Sequence, residues 1–312
     1  MALFKKSLSK FILISGPLLF VLLLGSPLFL AGQSTEKSKI VAKGAKPVLV
    51  SDKFKFTEGP AVDRDGNVFF TDQPNDKIMK WSPKGGLSVY LDGSGRSNGL
   101  YFDPEGNLLA CADEKNELWM ISKDKKISVL VADFKGEKLN GPNDLWVDPK
   151  GGIYFTDPFY KRDYWTRTEK EIETENVYYL SPDKRDLQMV MGDFQRPNGI
   201  IGTADGKMLY VADIGGGKTY SFRIGADGSL SEKKMFASMG SDGMTIDNQG
   251  NVYLTGKGVT VFDPSGKQIE NIPVPEPWTA NVCFGGKDRK TLFITASKSV
   301  YILQMKVKGG SW

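Results

Sequence analysis

Histidine is absent from this 312-residue chain, and cysteine occurs only twice. Without an imidazole no Ser-His-Asp hydrolase mechanism can operate, and a divalent ion would have to be held by oxygen rather than by nitrogen or sulfur. An excess of charge is also lacking. The formal net charge is +4, and without the early Lys5, Lys6 and Lys10 it falls to about +1. A protein that grips phosphate backbones needs clustered cations, so nucleic acid is excluded as a partner. Lys123, Lys125 and Lys126 read as a solvated turn.

Long apolar runs are missing everywhere except residues 11–30, which follow those three lysines and are broken by Gly16-Pro17 and Gly25-Ser26-Pro27. A positive end followed by an apolar stretch is an export signal. The run is long for one, and Leu30, Ala31 and Gly32 make an indifferent cleavage site. Residues 1–32 are therefore read as a signal peptide or an N-terminal membrane anchor, with cleavage favoured. The expected location is periplasmic or secreted, with membrane contact only through residues 1–32 if they are retained. No cysteine near the end of the run invites a lipid. Residues 33–45 are polar and lysine-rich and read as a linker, leaving 46–312 as one domain.

What is present is a repeat. Residues 138–160, KLNGPNDLWVDPKGGIYFTDPFY, read as a polar tip, a short apolar strand, a tight turn and a second strand ending on Asp157. That is a β-hairpin whose tips return to one end. EGPAVDRDGNVFFTD from Glu58, NGLYFDPEGNLLACAD from Asn98, NGIIGTADGKMLYVAD from Asn198 and DGMTIDNQGNVYLTG from Asp242 repeat the pattern. A looser copy, NVCFGGKDRKTLFITA, starts at Asn281. Intervals of 40, 45, 55, 44 and 39 residues separate these starts, counting Asn143 for the third copy. Repeats near that length, four short strands each, are propeller blades. The fold class expected is all-β, a six-bladed β-propeller. The last blade runs out of strands, whereas residues 46–50 (KPVLV) belong to no other blade, so that segment is expected to supply the outer strand of blade six and fasten the ring. Cys111 and Cys283 fall in blades that are not neighbours and are expected to be buried thiols rather than a disulfide.

Antiparallel order sends the D-x-x-G-N turns (63–67, 103–107, 247–251) to the bottom of the ring, where glycine serves turn geometry. The residues that begin the inner strands then line the top of the tunnel: Glu58, Asn98, Asn143, Asn198, Asp242 and Asn281. Two carboxylates in a narrow tunnel repel one another unless a cation lies between them or one is protonated. Carboxylate and amide oxygens suit a hard divalent ion, Ca²⁺ before Mg²⁺ or Mn²⁺, with Zn²⁺ a poorer fit. Glu58, Asn143, Asn198 and Asp242 are the expected ligands. For Asn98 and Asn281, local hydrogen bonding is preferred over ligation.

The phrases FTEGPAVD, LNGPNDLWVDPKGGIYFTDP, RPNGI, SDGMTID and FGGKDRKTLFITA resemble those of the gluconolactonase, senescence marker protein and luciferin-regenerating enzyme family over nearly all of residues 56–306. The resemblance implies a six-bladed propeller and calcium- or zinc-dependent lactone hydrolysis, with paraoxonases and diisopropyl fluorophosphatase as distant relatives. The family's metal-binding Glu falls on Glu58, the Asn of its N-G phrase on Asn198 and the Asp of its D-G-M phrase on Asp242. The Asn of P-N-D falls on Asn143, which the resemblance assigns to metal or to substrate. Gly141 stands where the animal lactonases carry an arginine, so that sugar-acid contact does not transfer, and the histidines of the paraoxonases have no counterpart.

The reaction expected is hydrolysis of a small-molecule lactone or sugar-acid derivative, with an ion polarising the carbonyl and activating water. Asp242 is the expected general base. Asn98, Asn143, Asp144, Tyr160, Tyr164 and Trp165 are the expected substrate contacts, the last three on a loop (158–176) that either overhangs the tunnel or packs on a neighbouring blade. ADIGGGKT (212–219) leads into a strand-like TYSFRIG and not a helix, so it is no phosphate loop. GSGRSNG (93–99) lacks the dinucleotide spacing. The competing class is a non-catalytic propeller that binds a sugar or protein on its top face around a structural ion.

Overall fold

The computed structural model describes residues 38–310, so the segment read as signal or anchor lies outside them. Six four-stranded antiparallel sheets make up the body. Their inner strands are Thr57–Val62, Ser97–Phe102, Leu145–Val147, Pro197–Gly202, Met244–Ile246 and Asn281–Gly285. Each inner strand touches the next, and the sixth touches the first, so the sheets close into a six-bladed propeller around a central tunnel.

The second strands are apolar at nearly every position because both of their faces are covered. In Val68–Asp72, Val68 and Phe70 turn towards blade six and pack with Cys283 and Phe293, while Phe69 turns the other way, to Leu100 and Leu108 of blade two. Wedges of this kind between blades are the core. Both cysteines are buried and free, as expected for thiols serving as small apolar fillers.

The bottom turns share one hydrogen-bond pattern. Asp63, Asp103 and Asp247 each accept the backbone N–H of the asparagine four residues on, at 2.9, 2.7 and 3.0 Å. Each also accepts that asparagine's side-chain amide, at 2.7, 2.9 and 2.7 Å. The D-x-x-G-N signature is thus a self-satisfied turn, not a ligand site.

Ring closure follows the expected route. Val48–Ser51 pairs antiparallel with Ser299–Gln304 as the outer strand of blade six, Val48 opposite Ile302 and Leu49 opposite Tyr301. The described part of the segment read as a linker differs from that reading. Residues 38–45 lie against the same blade: Ile40 is buried, its carbonyl accepts Lys306 N–H at 2.7 Å, and Ala42 N–H donates to Gln304 O at 3.1 Å. The polar composition hid one apolar anchor. At the other end the C-terminal tail crosses to blade five, where Lys308 O accepts Asn248 N–H at 2.8 Å and Gly310 N–H donates to Ile246 O at 2.9 Å. A two-stranded hairpin, Asp133–Phe134 with Glu137–Lys138, precedes blade three. The third strand of that blade begins at Glu175, which shortens the long loop to 158–174.

Candidate active site

The polar residue that opens an inner strand is followed by glycine in four blades, and the geometry explains why. A Cβ on Gly59 would lie 2.1 Å from Asn98 O, on Gly99 2.6 Å from Asn143 O, on Gly199 2.8 Å from Asp242 O, and on Gly243 1.8 Å from the Asn281 side chain. Each glycine makes room for the polar residue of the next blade, so the six tunnel residues crowd together. Threonines fasten them from behind: Thr71 Oγ1 donates to Asn98 O at 3.0 Å, Thr156 Oγ1 to Asn198 O at 2.8 Å and Thr255 Oγ1 to Ala280 O at 2.8 Å.

Glu58, Asn98, Asn143, Asn198 and Asp242 line one cavity of about 500 Å3 at the top of the tunnel, together with Phe56, Gln73, Tyr160, Arg162, Arg196 and Trp278. Asn98 and Asn143 are 6% and 4% exposed, and their side-chain amides make no hydrogen bond among the described residues. The expectation that Asn98 is used up in local capping therefore does not hold. Asp242 Oδ1 accepts the Asn198 amide at 2.9 Å and Oδ2 accepts the Trp278 indole N–H at 2.6 Å. That same Asn198 amide nitrogen donates to the Tyr160 hydroxyl at 3.0 Å. Glu58 Oε2 accepts Gly59 N–H at 2.7 Å and the Asn281 amide at 3.3 Å.

Burial pushes the Glu58 carboxyl well above its ordinary range, and the charge of Asp242 pushes it further. Burial raises Asp242 to about 6 against the pull of its donors Trp278 and Asn198 and the nearby Arg162 charge. Two desolvated, mutually repelling carboxyls beside two unpartnered amides make an oxygen donor set that a hard divalent ion would satisfy. Among the described residues no three acidic, histidine or cysteine side chains gather tightly enough to hold an ion alone. Two carboxyls alone are too few for such an ion, and the amides of Asn98, Asn143 and Asn198 line the same cavity.

Asp144 sits elsewhere. It lines a smaller space of about 50 Å3 lower in the tunnel, and its Oδ2 accepts the Asn281 amide at 3.2 Å. Asn281 thus bridges Asp144 to Glu58 across the ring. Its carbonyl Oδ1 also accepts Val282 N–H at 2.8 Å, so the local hydrogen bond expected there is present but is only half its role. Burial raises Asp144 to about 7. Direct substrate contact by Asp144, expected from its neighbour Asn143, is not what the fold provides, because Leu145 N–H and Asn281 hold it below the mouth.

The long loop does both things that the sequence left open. Tyr160 and Arg162 enter the cavity wall, whereas Tyr164 and Trp165 turn to blade two. The Tyr164 hydroxyl and Arg162 Nε donate to Asp113 Oδ2, the latter at 2.9 Å, and the Trp165 indole donates to Asp113 O at 2.8 Å. Tyr164 and Trp165 are anchors of the loop and not substrate contacts. Gly141 is closed to any side chain, since a Cβ there would lie 3.0 Å from Asp113 Oδ1 and from the Trp165 ring. Elsewhere the acid ending a second strand caps the backbone that enters its own blade, as Asp72 does for Lys55, Asp157 for Gly141 and Asp213 for Arg196. Asp113 holds the loop instead.

Sequence reasoning missed Trp278, Arg162, Arg196 and Gln73. None lies on the repeat. The signal for Trp278 is a lone aromatic in the proline-rich top loop three residues before Asn281.

The model of the SMP-30/gluconolactonase/LRE-like region matches residues 56–298. A gluconolactonase of Zymomonas mobilis is 30% identical over 293 residues, 84% of this chain and 82% of that protein. The solved structure of a Xanthomonas campestris gluconolactonase superposes with a TM-score of 0.79 at 28% identity, covering 85% of this chain and 91% of that one. An Agrobacterium tumefaciens calcium-binding protein, regucalcin, shares the fold at a TM-score of 0.71 and 19% identity, covering 86% and 96%.

Proposed function

The chain belongs to the SMP-30/gluconolactonase/LRE-like family, and from that premise we propose that it is a metal-dependent hydrolase of a lactone or related ester, working at the tunnel mouth. The observation that carries this reading is the convergence of buried Glu58 and half-buried Asp242 with the unpartnered amides of Asn98 and Asn143 in one cavity wall. Glu58, Asn143, Asn198 and Asp242 would hold the ion, calcium by the hardness of the donors. Such an ion supplies Lewis acidity to a carbonyl and lowers the pKa of a nearby water.

The chain's own groups do the rest. The Trp278 indole and the Asn198 amide fix both oxygens of Asp242, so the carboxylate is held still to accept the proton of an attacking water. As water adds to the carbonyl carbon and the ring C–O bond breaks, that proton returns from Asp242 to the departing ring oxygen, leaving a hydroxy acid. Trp278, at the cavity rim, and Phe56 offer apolar surface to the substrate ring. Asn98 and Asn143 offer amides to its hydroxyls. Tyr160 positions Asn198 through its hydroxyl.

A proton-release assay on a panel of lactones, with and without chelator, tests the proposal. Turnover that chelation removes and Ca²⁺ restores, and that is lost in Asp242→Asn and Glu58→Gln, is the expected result. Sugar binding with no turnover of any lactone or phosphotriester would instead mark a binding propeller. Residues 1–32 carry a second proposal, export to the periplasm or outside the cell. Fractionation of cells expressing the full chain, with N-terminal sequencing, should find the protein outside the cytoplasm, cleaved or anchored.

A further inference from the structure

Two guanidinium groups stand in the cavity wall, and among the described residues only one has an acidic partner. The charged residues lining the cavity are Glu58, Asp242, Arg162 and Arg196. Arg162 and Arg196 lie 5.4 and 5.1 Å from the centre of the Tyr160 ring. Arg162 is paired through Nε with Asp113, whose carboxylate also accepts the Tyr164 hydroxyl. Arg196 is different. Its backbone is pinned, because its N–H donates to Asp213 Oδ1 at 2.9 Å. Its side chain is exposed and makes no ion pair or hydrogen bond among the described residues; what steadies it is the face of Tyr160. A guanidinium laid on an aromatic ring keeps all its N–H donors free for a planar or tetrahedral anion.

The patch is close to the reaction centre. The Tyr160 hydroxyl accepts the Asn198 amide at 3.0 Å, and the same amide donates to Asp242 at 2.9 Å, so one ring and one amide link the cations to the general base. A divalent ion on Glu58 and Asp242 would cancel those two charges and leave the wall positive. A neutral polyol lactone needs no such wall, since amides and aromatic faces suffice for it. A substrate with negative charge on the side away from the scissile carbonyl does need it.

We propose that the substrate is an anionic lactone, one bearing a carboxylate or a phosphate monoester, with the Arg196 guanidinium as its main contact and Arg162 as the second. This rests on the lactone-hydrolase reading of the same site. The test compares glucono-δ-lactone, its 6-phosphate and a glucaric acid monolactone, on wild type and on Arg196→Gln, Arg196→Lys and Arg162→Gln. Wild type should favour a charged lactone in kcat/KM by about tenfold or more, mainly through KM, and the preference should shrink as salt rises. Arg196→Gln should remove most of that ratio and Arg162→Gln a smaller part. Arg196→Lys should recover more of it for the phosphate, which accepts a point charge, than for the carboxylate, which wants the planar fork. Which charged lactone leads identifies the anion. Equal kcat/KM for neutral and charged lactones, or a ratio untouched by Arg196→Gln, overturns the inference and leaves the hydrolase reading standing. If no lactone is hydrolysed, that reading fails, and calorimetric binding of 6-phosphogluconate and glucarate against gluconamide judges the charge inference alone. Tighter binding of the anions that Arg196→Gln abolishes upholds it, and equal binding overturns it.

Discussion

Replacing Gly199 by alanine adds one methyl where three backbone atoms of the next blade already stand. The new Cβ would lie 2.8 Å from Asp242 O, 2.9 Å from Gly243 C and 3.1 Å from Gly243 Cα. None of these can rotate away, so the inner strands of blades four and five must part by about half an ångström to restore ordinary contact. Overpacking of this kind costs about 1–3 kcal/mol. For a domain of this size that corresponds to a fall of about 2–10 °C in melting temperature. The control is Gly85→Ala in an exposed turn, where the Cβ would meet only the Ser82 side chain at 3.5–3.6 Å. That variant should gain about 0.4–1 kcal/mol by restricting the unfolded chain. One substitution in two places thus has opposite signs. Urea and thermal unfolding of both variants measure it, and lactone turnover reports whether Asp242 moves with the strand. Should Gly199→Ala match or exceed wild-type stability, the close approach of neighbouring strands is not the reason for the repeated polar-glycine pair.

Asp242→Asn keeps the Trp278 contact but removes the base and should lower kcat by about 10²–10⁴ with little change in melting temperature, read by steady-state kinetics and calorimetry. The melting-temperature increment from Ca²⁺ should grow as pH rises from 4 to 7. Burial lifts Glu58 and Asp242 above their unfolded values, so the chelated protein is favoured while both are protonated. It loses that advantage as pH climbs through the folded value of about 6 for Asp242. An increment independent of pH would contradict the paired-carboxylate site. Asp113→Ala should release Arg162 and Tyr164, which bond its carboxylate, while Trp165 keeps its bond to the backbone carbonyl, and it should raise KM more than it lowers kcat; an unchanged KM for every substrate would show that the loop does not shape the cavity.

The ring and its axial residues were legible because each inner strand opens the same way. Once the pattern E-G, N-G, N-D, N-G, D-G was aligned, Glu58, Asn98, Asn143, Asn198 and Asp242 had to share one end of the tunnel, and they share one cavity. The depth of Asp144 was not legible. It follows Asn143 directly, ahead of the strand Leu145–Val147, and its place lower in the tunnel depends on Asn281, which comes from a different blade. Trp278, Arg162 and Arg196 escaped for another reason. They belong to top loops whose paths over the ring no repeat dictates, and what each touches depends on chain brought in from a different blade. Tyr164 and Trp165 show the same limit, since aromatics on a long loop can face either the tunnel or the next sheet. Only the position of Asp113 decides between them.

The pairing of Val48–Ser51 with Ser299–Gln304 also sets a schedule for the nascent chain. Among the described strands the first to leave the ribosome must wait about 250 residues for its mate, a separation that makes closure a slow, late event. Through synthesis that segment stays unmated, and the sixth sheet lacks its rim. A premature stop codon inside the last strand would therefore leave two open edges, and a product nearly full length would be more prone to aggregate than its missing mass suggests.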